Sequence, residues 1–327
     1  VTIGTVSGVL RDKAKERRIS DEVVQRVLRI ADQVDYAPNL LIRSLHRGNT
    51  HVISFLNGFR NLDRRHQYMA ALTSSMEKAG GSLGYNVLMF CDFELSPCET
   101  YKYLNGGIND GLVFFKPQPS DPLLPFLRKS NLPIVLLNSV DDEGILSSVI
   151  DDWRSGIREV ADQLAHNGHH RLAALTAEGH VDAENRIIYL RECLAGYGID
   201  LPESRVIAVD GRDPAAVNVV VRSLMNEETP PTALFCWHDH LGYSVLEECF
   251  HLGIAVPTQV SVIGYDGIYW PARTTHILAS VHVDIERTSE LAVEALVDLI
   301  NSRSLGPIQK VMPVRFELGT TLGTALK

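Results

Sequence analysis

The segment FCWHDH, Phe235 to His240, sets two imidazoles around a carboxylate, and a second histidine pair stands at His169–His170. Imidazole next to carboxylate is the raw material of metal ligation and of acid–base catalysis. Neither chemistry is completed by the rest of the chain. His238, Asp239 and His240 are consecutive, so they do not share one face, and no second ligand motif accompanies them. His169 and His170 follow Gly168 and open the apolar run RLAALT, which marks the start of a strand rather than a ligand pair. The chain has no G-x-S-x-G elbow, no phosphate-cradling G-x-x-x-x-G-K-[ST] and no G-x-G-x-x-G after its first strand. No catalytic residue, metal or cofactor is expected, and the chain does not read as an enzyme. The cysteines (Cys91, Cys98, Cys193, Cys236, Cys249) lack C-x-x-C spacing, which predicts free thiols in a reducing, cytoplasmic setting.

The elements that must position any site follow from hydrophobic pattern. From residue 51 onward, short apolar runs alternate with helix-length amphipathic segments: HVISFL, NVLMFC, GLVFF and PIVLLN, then RLAALT, VIAVD, ALFCW and VSVIGYD. Near-continuous apolar strands separated by helices make parallel sheets covered on both faces. Two such series predict an α/β fold with two doubly wound parallel-sheet lobes. Sheets of this kind bind ligands at the carboxyl ends of their strands. Asn57, which closes the first strand, and Asp266, which closes VSVIGYD, are candidates on that ground. No apolar run is long enough to span a bilayer, so no membrane partner is expected.

Residues 1–50 differ from the rest. They carry nine Lys/Arg against six Asp/Glu, whereas the remainder carries 22 against 34, within a net charge of −9. A small basic head on an acidic body fits either a nucleic-acid contact confined to the head or a solvated helical face, and charge alone does not separate the two. Its long helix is predicted after Ser20, an N-cap followed by Asp21 and Glu22, with Val23, Val24, Val27, Leu28 and Ala31 on one face.

At this level of detail the sequence resembles the lactose-repressor (LacI/GalR) family of bacterial transcription regulators. TVSGVL is similar to the recognition-helix segment of the family's helix-turn-helix, and ISDEVVQRVLRIADQVDYAPN to its third helix and the following tyrosine-proline-asparagine. LLIRSLHRG resembles the hinge helix, DDWRSGIREVADQLAHNGHHRLAAL the start of the second lobe, and VSVIGYDG a late strand-and-loop signature. The resemblance runs along nearly the whole chain. It implies a helix-turn-helix head and a hinge helix on a periplasmic-binding-protein-like core whose chain crosses between lobes three times. The expected division is a partial head at 1–36, a hinge at 37–50, a first lobe at 51–153 plus about 279–308, and a second lobe at 154–278 plus about 309–327. The opening VTIGTVSGVL is expected to be the second half of a helix-turn-helix whose first helix is missing from this chain.

The resemblance also assigns roles. Thr2, Thr5 and Ser7 would contact phosphate or sugar, and Ile3 would sit against base edges together with Gly4 and Gly8, which have nothing to read with. Lys13, Lys15, Arg17 and Arg18 form a basic loop that would either track phosphates or stay as solvated surface charges. In the hinge, Asn39 and Arg43 would touch backbone or groove floor, and Leu45 would wedge between base steps in the minor groove. In the cleft between lobes, Arg186 matches the family arginine that reaches the ligand. Asp266 would accept ligand hydroxyls, and Trp153 and Trp237 are candidate aromatic walls. His238 stands where the family usually has asparagine, with Asp239 supporting its loop, and Gly267 replaces a usual acidic residue. The implied function is a homodimeric repressor on a palindromic double-stranded operator, controlled by a small effector, usually a sugar. The alternative is a stand-alone, periplasmic-type sugar-binding protein with the same core.

Overall fold

The computed structural model describes residues 1–11, 13–37, 44, 48–58, 67–90, 94–269, 274–302 and 306–326. Asn39, Arg43 and Leu45, the three hinge candidates, lie outside the described residues.

The head contains α1 (Ile3–Leu10) and α2 (Asp21–Gln33). Thr2 caps α1, its hydroxyl accepting from the Thr5 amide at 3.2 Å. Ser20 caps α2 by position, without a side-chain bond to the helix. Val9 and Val27 are buried, and Val23, Val24 and Ala31 are half-buried. Leu28 departs from the predicted apolar face: it is 45% exposed, because α1 packs over the side of α2 that carries Val27. Gly8 has a packing role that its lack of a reading side chain hides. A Cβ there would come within 2.9 Å of Arg17 Cδ and 3.1 Å of Ile19 Cδ1, so the basic loop closes directly over it. Arg17 donates from Nη1 to the Gly4 carbonyl at 2.8 Å, which ties one of the four loop cations to the helix.

The body holds two six-stranded sheets. The first has the order β11-β5-β4-β3-β1-β2, all parallel: β1 (Val52–Asn57), β2 (Asn86–Met89), β3 (Gly111–Phe115), β4 (Ile134–Leu137), β5 (Ser147–Asp151) and β11 (Gln309–Met312). The second has the order β12-β10-β9-β8-β6-β7: β6 (Leu172–Thr176), β7 (Val206–Ala208), β8 (Ala233–Cys236), β9 (Ser261–Asp266), β10 (Ala279–His282) and β12 (Arg315–Glu317), with β12 alone antiparallel.

Helices α3 (Gln67–Ser82) and α10 (Ile285–Asn301) cover one face of the first sheet, where Leu72, Met76, Val293 and Leu296 close on Ile53, Phe55 and Val113. Short helices α4 (Pro97–Leu104) and α5 (Leu124–Leu127) serve the other face through Leu104, Leu124 and Leu127. In the second lobe α6 (Trp153–His166) and α7 (Val181–Ala195) pack Val160, Leu164, Ile187 and Leu190 on one face. Helices α8 (Pro214–Met225) and α9 (Asp239–Leu252) pack Val217, Val221, Val245 and Leu246 on the other.

Two strands correct the expected division. β10, at 279–282, pairs with β9 in the second sheet, and β11, at 309–312, pairs with β5 in the first. The second and third crossings therefore fall at Val283–Asp284 and Pro313–Val314. In the sequence no helix-length amphipathic segment separates β9 from β10, so the strand–helix alternation carries no signal there.

Gly267, just after β9, has φ +74°, and a Cβ would lie 2.5 Å from the His282 ring and 2.7 Å from its Cα. Positive φ and a backbone neighbour both exclude a larger residue. Gly267→Ala is expected to destabilise the fold by about 2–4 kcal/mol. Urea unfolding checks this, and an unchanged midpoint would contradict it.

Candidate functional site

The carboxyl ends of both sheets face a cleft of about 410 Å³ between the lobes. From the first lobe, Lys116 follows β3, Asn138 follows β4 and Asp151 ends β5. From the second, the first turn of α6 brings Trp153 and Arg154, the first two turns of α7 bring Asp182, Asn185 and Arg186, and β9 brings Tyr265. Lys116, Asn138 and Asp266 all have positive φ, at 45°, 54° and 112°. Non-glycine residues held there cost about 1–3 kcal/mol each and gather at binding sites, so two at adjacent strand ends of the first sheet and one at a strand end of the second mark the facing edges.

Arg186 organises the second-lobe wall. It is 7% exposed, donates from Nη1 to the Trp237 carbonyl at 2.6 Å, and lies over the Tyr265 ring at 3.5 Å. Its Nη2 stands 3.8 Å from Asp266 Oδ1. Burial pushes the Asp266 carboxyl up to about 6, opposed by the charges of Arg186 and Lys116. Asp182 is held below the usual carboxylate range by Lys116 and Arg186 despite its burial, whereas burial raises Asp151, which accepts from Thr288 Oγ1 at 2.9 Å. Asn138 donates to the Tyr68 hydroxyl at 2.8 Å. Asn138 Oδ1 and Tyr265 Oη are buried at the cleft with no partner among the described residues. Unfilled buried polar atoms of this kind are where ligand hydroxyls gain most.

The sequence candidates separate into three groups. Trp153 and Arg186 line the cleft. The Trp153 ring stands edge-on to Tyr189 at 5.8 Å, with the Arg154 guanidinium 5.0 Å from it. His238 and Asp266 line a smaller recess with Gln67, Tyr68, Asp239, His240 and Ile268. Asn57 and Trp237 line neither space. Asn57 is only 5% exposed, at the end of a strand flanked by β2 and β3, and the Trp237 ring is occupied by His180 at 5.1 Å and His238 at 4.3 Å. His238 also caps α9, its Nδ1 accepting from the Leu241 amide at 3.0 Å, which places the ring proton on Nε2.

Asp239 supports its loop, accepting from the Ile268 amide and from Ser280 Oγ, each at 2.6 Å. Burial beside Asp266 raises its carboxyl well above the usual range. Among the described residues no cluster of three metal-ligating side chains occurs. His169 spans Thr232 Oγ1 and the Gly323 carbonyl, both at 2.9 Å, a structural tie to the chain's last segment.

Lys116, Asn138, Asp151 and Asp182 were not among the sequence candidates. The strand-end rule reaches the first three, since each is the first polar residue at the end of an apolar run (GLVFFK, PIVLLN, SSVID). Asp182 carries no comparable local signal.

Two parallel-sheet lobes joined by three crossings, with a polar cleft at the strand ends and a small helical head, define a periplasmic-binding-protein-like regulator architecture. Residues 161–322 match the periplasmic binding protein-like domain family. Among similar proteins, the repressor PurR of Aliivibrio fischeri (strain MJ11) is 26% identical over 309 residues, covering 93% of this chain and 89% of its own. The ribose operon repressor of Escherichia coli (strain K12) is 24% identical over 328 residues, covering 98% and 96%. The lac repressor dimer bound to operator and the anti-inducer ONPF superimposes with TM-score 0.84 at 19% identity, covering 99% of this chain and 96% of its own. Along nearly its whole length the chain is similar to transcriptional repressors, in keeping with its resemblance to the LacI/GalR family.

Proposed function

We propose that the protein is a transcriptional repressor that binds a palindromic double-stranded operator as a homodimer in the cytoplasm and is controlled by a small sugar bound between its lobes. The observation that carries the effector half is the cleft wall built on Arg186. A buried guanidinium fork, with Asp182 and Asp266 near it and with Tyr265 Oη and Asn138 Oδ1 unpartnered among the described residues, offers the donors and acceptors that a polyol needs. Trp153 supplies an apolar wall. The head supports the DNA half, with Thr2, Ile3, Thr5 and Ser7 on or beside α1 and Ile3 90% exposed. The similar proteins are named repressors.

A thermal-shift screen against neutral sugars, with nucleobases as controls, tests the effector. A sugar at a hundredfold its dissociation constant stabilises by about 2.7 kcal/mol, raising the midpoint by roughly 5 °C. Selection from random duplexes tests the DNA half, with an inverted repeat expected. A nucleobase-only response would overturn the sugar assignment, and failure to enrich any duplex would overturn the operator.

A further inference from the structure

Among ion pairs between described residues, one joins the two lobes: Lys116, at the end of β3, and Asp182, in the first turn of α7. The others lie within the head or within a single lobe. Both partners line the cleft, with side chains 17% and 36% exposed. Lys116 also lies near the Tyr68 and Phe115 rings, at 5.8 and 5.7 Å, which limits its hydration on the first-lobe side. The charge on Asp182 is favoured by Lys116 first and by Arg186 second. Asp151 and Asp266 also feel Lys116, so the ammonium sits among three carboxylates and pairs with the one from the opposite lobe.

We propose that Lys116 and Asp182 form a breakable latch across the cleft, positioning the second lobe against the first and setting how readily the lobes part. The three chain crossings are covalent hinges that permit rotation. The latch is the one ionic link between described residues that lobe separation must break. A partly desolvated pair is coupled more strongly than a surface pair, and removing either partner leaves the other without its opposite charge from across the cleft, held only by charges of its own or the neighbouring wall. The inference concerns lobe closure itself, so it stands whatever ligand the cleft takes.

Hydrogen exchange of the full chain by mass spectrometry reads the latch without a ligand. Peptides covering 116–120, 138–142 and 177–187 report the two cleft faces, and peptides within β1 and β9 report the lobe interiors. Lys116→Met and Asp182→Asn are each expected to speed exchange at both cleft faces by roughly fivefold, with the interiors unchanged. The double variant is expected to be no faster than the faster single, because the second removal breaks a contact already lost. Lys116→Arg should retain wild-type exchange, and 1 M salt should accelerate the wild type but not the double variant. Asp182→Asn is nearly isosteric, so it remains informative if Lys116→Met folds poorly. Changes confined to the mutated lobe, additive effects in the double variant, or wild-type exchange in both singles would overturn the latch.

Discussion

Arg186→Met is expected to lower the unfolding free energy by about 3–5 kcal/mol and to abolish any effector response. The expectation rests on what the guanidinium holds at once. It donates to the Trp237 carbonyl, faces Asp266 at 3.8 Å and stacks on Tyr265. Methionine fills the apolar volume but serves none of the polar partners. Asp266, nearly buried, and Asp182, half-buried, then remain with less compensating charge, and breaking one side of a buried pair costs about that amount. The Trp237 carbonyl loses its donor as well. For a chain of this size the midpoint should fall by roughly 4–7 °C. Arg186→Lys should recover only part of the loss, because an ammonium cannot present a planar fork to a carbonyl and a carboxylate while stacking on a ring. Calorimetric unfolding and titration with the sugar from the screen measure both effects. Wild-type stability in the methionine variant would show that the carboxylates do not depend on Arg186.

The same residue shows how far the sequence reaches toward this site. Arg186 stands out in ENRIIYLRECL through its family context, and Asp266 through its place at a strand end, and the structure sets them side by side. Trp237 and His238 follow the next strand end in the same way, yet only His238 borders an inter-lobe space. Adjacent residues leaving a strand point in different directions, and the Trp237 ring is taken up by two histidines, one from another element. Asp182 gains its meaning from Lys116, 66 residues earlier, a pairing that no local pattern encodes. The sheets were legible because buried parallel strands are continuous apolar runs. β11 was not: QKVM alternates exposed and half-buried positions at a sheet edge, and polar edge strands lack the apolar signature.

Asp266→Asn separates stability from binding by pH. The folded carboxyl titrates at about 6 because burial outweighs Arg186 and Lys116, whereas in the unfolded chain it titrates at about 3.9. Between those values the native state holds a proton that the unfolded state has released. The stability Asp266 contributes is therefore complete below about pH 4 and is lost as pH rises through 6, a change of about 3 kcal/mol. Asparagine carries no such proton and tolerates the positive φ at this position. The stability of the wild type relative to the variant should fall by about that amount between pH 4 and pH 7. The opposite dependence of Asp141, Asp182 and Asp210, each held low in the fold, is common to both proteins and largely cancels in the difference. Asp239, raised in part by the Asp266 charge, titrates lower once that neighbour is neutral, which acts in the same direction. At pH 7.5 the variant should be at least as stable as the wild type yet bind the sugar from the screen more weakly by tenfold or more, since the amide replaces one of the two charged acceptor oxygens with a donor and leaves a hydroxyl facing it unserved. Parallel pH slopes in the two proteins would show that Asp266 is not the buried acid, and unchanged sugar affinity would remove it from the binding surface.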